Sequence, residues 1–204
     1  MNKLDTVLYT FGKRELPYII FCCFCLSGYG VIAQPDSSLF PGHPGFTKKA
    51  NATNTLKDGV REGLWLEYVD SALYITADTN APYHLFTYYL KGAPYREITG
   101  FYKNGKIWSE LPMADGKKNG VQKIFYPDGK LWKEIPYKGG VRNGVYKEYY
   151  ENGTVQAEYP YAAGVLNGIQ KSYYPDGKLN LKIEYKNGQA GDVTVYDKAG
   201  HEVE

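Results

Sequence analysis

Residues 119–168 read NGVQKIFYPDGKLWKEIPYKGGVRNGVYKEYYENGTVQAEYPYAAGVLNG, and the second half of this stretch restates the first with a shift of 24 positions. The same interval separates Tyr102, Tyr126, Tyr150 and Tyr174, then Gly105, Gly129, Gly153 and Gly177, and again Gly120, Gly144 and Gly168. Three registers with one spacing identify a repeat array, and an array outranks any local reading of the chain. A partial copy stands upstream as REGLWLEY (61–68) and a degenerate one downstream as GDVTVYDKAG (191–200), as the altered end units of stacked arrays do.

Each unit predicts two strands around a tight turn. In Pro127-Asp128-Gly129 the proline presets φ, the aspartate suits the next position, and the glycine takes the left-handed conformation. A three-residue loop then pairs Tyr126 with Lys130, Phe125 with Leu131 and Val121 with Ile135. That register gathers Val121, Phe125, Leu131, Ile135 and Tyr137 on one face, with Val145, Tyr149, Val155, Tyr159 and Tyr161 following them. Ile169, Tyr173, Leu179, Ile183 and Tyr185 complete the face. Tyr126, Tyr150, Tyr174, Lys130, Lys178, Glu134 and Glu158 fall on the other. The expected fold is all-β: an open, single-layer antiparallel sheet of successive hairpins, about 40 to 50 Å long. Pro112, Pro136 and Pro160 recur near the ends of second strands, where a missing N–H is tolerated.

Outside the array the grammar changes. Residues 1–33 place Lys3, Lys13 and Arg14 before the apolar run YIIFCCFCL (18–26) and a small-residue exit ending at Ala33. This order predicts a signal peptide cleaved before Gln34, and an exported protein in a periplasm, on an outer-membrane surface or outside the cell. The run is too short for the ~20 residues of a spanning helix. All three cysteines, 22, 23 and 25, lie within it, so disulfides, thiol catalysis and Cys-ligated zinc leave with the segment. Residues 34–57, rich in Pro, Gly and small polar side chains, read as a flexible linker. Residues 58–204 form the repeat domain, interrupted at 70–95 by an insertion with a loop at 78–82 and the strand-like YHLFTYYL (83–90).

Balanced charge, 24 basic against 22 acidic residues, gives no electrostatic footprint for nucleic acid. His43, His84 and His201 have no metal-ligand spacing, and neither a nucleophile elbow nor a phosphate-cradling loop is present. The ladder Glu110, Glu134, Glu158 places carboxylates ~9.6 Å apart, outside the retaining-glycosidase separation and at the limit of the inverting one. Its periodicity reads as solvated repeat architecture, as does that of Lys123, Lys147 and Lys171. The expectation is a protein without catalytic residues, metal or cofactor.

The Gly, paired aromatics, Asn-Gly turn and trailing Tyr-x-x-Gly of GVYKEYYENGTVQAEYPY (144–161) resemble the bacterial variant of the MORN repeat, over roughly Gly59 to Gly200. The resemblance implies β-hairpins in an open sheet, no cofactor, and a binding or scaffolding role toward proteins or, in some members, lipid head groups. Related chains also carry an antitoxin label, which an exported protein does not fit. A single-layer sheet leaves aromatics exposed in rows, so Trp108, Trp132, Tyr126, Tyr150 and Tyr174, with Tyr83 and Tyr88 of the insertion, are the candidate partner-binding residues. Their expected partner is an unidentified protein or envelope component, with a glycan as the alternative. Gly105, Gly129, Gly153 and Gly177 are the structural turn glycines.

Overall fold

The computed structural model describes Ala52 and residues 54–203; the expected signal peptide and most of the expected linker lie outside them. Among the described residues the chain forms seventeen strands and no helix, in one open antiparallel sheet. Neighbours in sequence are neighbours in space. Val60–Val69 pairs with Tyr83–Leu90, that strand with Ala93–Tyr102, and that in turn with Ile107–Ala114. Regular hairpins follow: Gly120–Phe125 with Leu131–Lys138, Gly144–Tyr149 with Val155–Ala162, and Gly168–Tyr173 with Leu179–Lys186. Gln189–Tyr196 and the short Glu202–Val203 close the array.

Two boundaries differ from the sequence reading. Thr55–Lys57, within the expected linker, pairs with Val60–Glu62 across an Asp58-Gly59 turn. The expected insertion at 70–95 is an irregular connection over 70–82 that contains Ile75–Thr76, after which Tyr83–Leu90 rejoins the sheet along its full length.

The loop register is as expected at the turn: the Tyr126 N–H donates to Lys130 O at 2.8 Å, and Phe125 pairs with Leu131. Beyond it the register slips. Trp132 is passed over, Ile124 pairs with Lys133, Gln122 with Ile135, and Val121 with Pro136, not with Ile135. Trp108, Gln156 and Asn180 are passed over in the same way, so a β-bulge recurs in these four hairpins and exchanges the faces beyond it. The buried face is therefore Ser109, Leu111, Gln122, Ile135, Tyr146, Ala157, Gln170, Ser172 and Leu181. Val121, Val145 and Ile169 are exposed, contrary to expectation, and share their face with Glu134 and Glu158.

The core sits at the start of the array, where Val69, Leu85, Ile98, Trp108 and Leu111 pack together. Gly100 makes room for it: a Cβ there would lie 2.6 Å from the Trp108 ring. The outer edge of Val60–Val69, beyond its pairing with Thr55–Lys57, is plugged by Asn54, whose side-chain amide donates to Leu66 O and whose oxygen accepts from Leu66 N, at 3.0 and 2.9 Å. Such side-chain cover blunts an edge that otherwise invites strand addition.

Candidate functional site

Four stripes of side chains cross the strands. The first follows the turns. The hydroxyls of Tyr102, Tyr126, Tyr150 and Tyr174 donate to the carbonyls of Phe125, Tyr149, Tyr173 and Tyr196, at 2.7 to 2.9 Å, so each repeat is tied to the backbone of the next. Burial raises the Tyr102 phenol to about 12 and shifts Tyr126 and Tyr150 upward. Gly105, Gly129, Gly153 and Gly177 turn the chain at φ between 83° and 95°. Trp108 is 6% exposed, which corrects its placement in an exposed row. Tyr83 packs on it with ring centroids 4.8 Å apart and on Tyr102 at 5.6 Å. Trp132 lies half-buried against Tyr126 at 5.6 Å, and Tyr88 half-buried opposite Leu64. These seven aromatics are thus part of the packing of the array.

The second stripe interleaves the two charged ladders. Cross-strand pairing gives the order Glu110, Lys123, Glu134, Lys147, Glu158, Lys171, Lys182. Lys147 Nζ lies 3.4 Å from Glu158 Oε1, while Tyr149 and Tyr173 donate to Glu134 and Glu158 at 2.7 and 3.0 Å. Burial, then those hydrogen bonds, push both phenols up to about 12. Opposite charges on adjacent strands compensate one another, so neither ladder acts as a stripe of one sign.

The third stripe, on the buried face, centres on Tyr146. Its ring stacks on Tyr159 at 5.0 Å, its hydroxyl donates to Glu148, and burial shifts its phenol strongly upward. Lys133 Nζ is 2.7 Å from Glu148 Oε1 and 4.4 Å from the Trp132 centroid. Farther along, Arg61 lies 2.7 Å from the buried Glu67, between the rings of Trp65 and Tyr89. The fourth stripe, at the strand ends away from the Tyr102 row, sets Lys118 and Arg142 over Tyr137 and Tyr161. Period alone could have flagged Tyr137 and Tyr161; their cations only became visible with the register.

The irregular connection supplies a different surface. Asp70 Oδ1 accepts from the N–H groups of Ala72 and Tyr74 at 2.9 Å, closing a turn in which Leu73 adopts φ 68° and packs against the core. That inward anchor turns Tyr74 and Ile75 out, 65% and 57% exposed. Among the described residues no group of three His, Cys, Asp or Glu side chains is placed to hold a metal ion. His84 instead stacks on Phe101 at 5.5 Å.

No curated protein matches the chain. The family model of the MORN repeat variant matches residues 97–115, 118–138, 142–163 and 166–187, which are the bulged hairpins with their turn glycines and tyrosine ties. The period, the register and this match agree: the chain carries four consecutive repeats of the MORN repeat variant between residues 97 and 187.

Proposed function

We propose that this is an exported, non-enzymatic MORN-repeat protein that acts as a protein-binding or scaffolding module of the cell envelope. MORN repeats are in general protein- or membrane-interacting modules. The amino-terminal order of basic residues, apolar run and small residues supports export. The repeats form the rigid part: their tyrosines and charges are spent on neighbouring strands.

The observation that carries the reading is the connection over 70–82. A leucine held at positive φ is a strained choice that the surrounding fold must sustain, and here it presents Tyr74 and Ile75 to solvent. Two adjacent exposed apolar side chains on a loop fixed by Asp70 are preorganised as an anchor for a protein partner. No cofactor enters this reading.

The test is affinity capture from envelope extract of the native host, comparing the wild-type chain with Tyr74→Ser/Ile75→Ser and with Val121→Ser, a change at an exposed apolar site within the repeats. A partner retained by the wild type and by Val121→Ser, but lost with the loop variant, supports the proposal. Equal retention by all three proteins sinks it.

A further inference from the structure

Val121, Val145 and Ile169 stand two residues before Lys123, Lys147 and Lys171, and Pro136 and Pro160 stand two residues after Glu134 and Glu158. Side chains two apart on a strand share a face, about 6.8 Å from one another. The pairings Val121–Pro136 and Val145–Pro160 therefore run an apolar row beside the charged one, on the face opposite the buried side chains. This row is open to solvent: Val121, Val145 and Ile169 are 42%, 45% and 52% exposed. Phe125, Tyr149 and Tyr173, two residues after the lysines and half-buried, line the charges on their other side.

The charges limit what can cover this face. Lys123, Glu134, Lys147 and Glu158 pair in that order on four adjacent strands, so the sign changes every ~4.8 Å. A ligand of one sign meets as much repulsion as attraction along such a row. A matching partner alternates at the same pitch with opposite sign, and carries an apolar row at the same distance from its charges. The row read backwards has that pattern. A two-fold axis parallel to the strands, placed between Glu134 and Lys147, sets Lys123 against Glu158 of a second copy and Glu134 against its Lys147. The same operation brings Val121 to Pro160 and Pro136 to Val145. An axis along the row would set lysine on lysine and glutamate on glutamate, and is disfavoured by that repulsion.

We propose that this face is a self-association surface, on which two copies of the chain pack sheet to sheet in that antiparallel order. The apolar row supplies the contact, and the charges set its register. The charges keep their partners within the sheet: Lys147 stays beside Glu158, and Glu134 still accepts from the Tyr149 hydroxyl. Each carboxylate has lone pairs, and each ammonium N–H groups, for a second partner. Two twisted sheets packed face to face hold their strands within about 30° of each other, so contact is closest at the central strands, where Glu134, Pro136, Val145 and Lys147 lie. Three rows across the six strands from Ile107–Ala114 to Gly168–Tyr173 cover roughly 600 Å² per copy, about 1,200 Å² in all. That is the lower end for a specific interface, so the dimer is weak and forms as concentration rises. The Tyr74–Ile75 loop lies against Val60–Val69, outside these strands, so failure of either contact leaves the other standing.

The test is sedimentation velocity of the full chain over a concentration series. The wild type should pass from monomer to dimer as concentration rises. Val145→Ser should raise the dissociation constant about tenfold, because the two-fold axis uses the lost contact twice. Glu134→Lys and Lys147→Glu each set like charges against one another twice, and each should leave the chain monomeric at concentrations where the wild type is dimeric. Mixed in equal amounts, these two variants should form a 1:1 heterodimer, since the reversed position of one then faces the reversed position of the other with opposite sign. Mixing repairs neither chain, so a role of Glu134 or Lys147 confined to its own sheet predicts no rescue. Val145→Ser, at an exposed site, decides the matter should a charge variant not fold. A wild type that stays monomeric throughout overturns the proposal, as does a mixture of the two folded variants that stays monomeric. A dimer that Val145→Ser leaves unchanged overturns it in favour of another interface, such as the outer edge of Gln189–Tyr196.

Discussion

Replacing Gly144 by alanine tests the packing logic of the array at its tightest recurring contact. An added Cβ would lie 3.0 Å from Pro136 Cγ and 3.2 Å from its Cβ, on the neighbouring strand, at a backbone φ of 117°. Two costs combine. Holding an L-residue at that φ costs about 1–3 kcal/mol, and forcing a methyl into an already close contact adds roughly 1–3 kcal/mol. The lower entropy of the unfolded alanine chain is a common term of opposite sign, about 0.4–1 kcal/mol. The net loss should be about 2–4 kcal/mol. Gly153→Ala isolates the first cost, because Gly153 has φ 85° and nothing within 4 Å of the added Cβ. Urea unfolding of the full chain, followed by tyrosine fluorescence and circular dichroism, should therefore order the proteins wild type, Gly153→Ala, Gly144→Ala. Adding Pro136→Ala to Gly144→Ala should recover about 1–2 kcal/mol of the difference relative to Pro136→Ala alone. If Gly144→Ala and Gly153→Ala cost the same, or the double variant shows no coupling, the proline–glycine contact does not set the strand spacing and the reasoning fails.

Tyr150→Phe keeps the ring but removes the donor to Tyr173 O, and should cost about 1 kcal/mol by urea unfolding, the worth of one hydrogen bond; no change would show that the ties are incidental. Tyr149 and Tyr173 have folded pKa values pushed up to about 12, above the unfolded phenol's value near 10. The unfolded chain then loses protons first, so their stabilisation is complete below about pH 10 and declines as pH rises toward 12; spectrophotometric titration of tyrosinate should show that Glu134→Gln lowers the Tyr149 midpoint. Lys182→Glu replaces the like-charged Lys171–Lys182 pair by an opposite one, and should stabilise the chain by about 0.5 kcal/mol at low salt, with the gain disappearing at high salt. A gain that survives high salt would show that the ladder acts through packing.

How much of this was legible from sequence depends on the range of the interaction. The period, the turns and the open hairpin sheet are local: Gly129 and Gly153 must adopt positive φ, and Pro127-Asp128 announces the turn before it. Register was legible only as far as Phe125–Leu131. The bulge at Trp132 is a property of two strands together, and one inserted residue sends Val121 to solvent and Gln122 inward. Polarity misleads here for a physical reason. Beside Leu111, Ile135 and Leu181 the buried face also takes small and hydrogen-bonding side chains, as where Gln122 Nε2 donates to Ser109 Oγ at 3.2 Å, while Val121 and Val145 stand exposed opposite Pro136 and Pro160. The recurring tyrosines were equally visible, but their role was not. A hydroxyl reaching a carbonyl 23 residues on depends on the pitch between hairpins, which no single repeat contains.

That pitch also explains why the array ends where it does within the described residues. The turn position held by Tyr102, Tyr126, Tyr150 and Tyr174 is held by Asp70 before the series and by Asp197 after it, as their backbone hydrogen bonds show: Asp70 N to Tyr74 O and Asp197 N to His201 O, each at 2.9 Å. An aspartate cannot reach the next hairpin. It turns its carboxylate back on its own loop instead, Asp70 onto the N–H groups of Ala72 and Tyr74, Asp197 onto that of His201. The outward tie is thus exchanged for a local one at both limits of the tyrosine series. In a one-dimensional array, where each unit is stabilised mainly by its neighbours, changing the coupling residue at the limits stops propagation without changing the hairpin itself. Asp197→Tyr restores the donor but finds no acceptor within the described chain, so it should leave the stability of the isolated protein lower by the lost turn bonds, roughly 1 kcal/mol. A stability equal to or above that of the wild type would mean that Asp197 is not a cap.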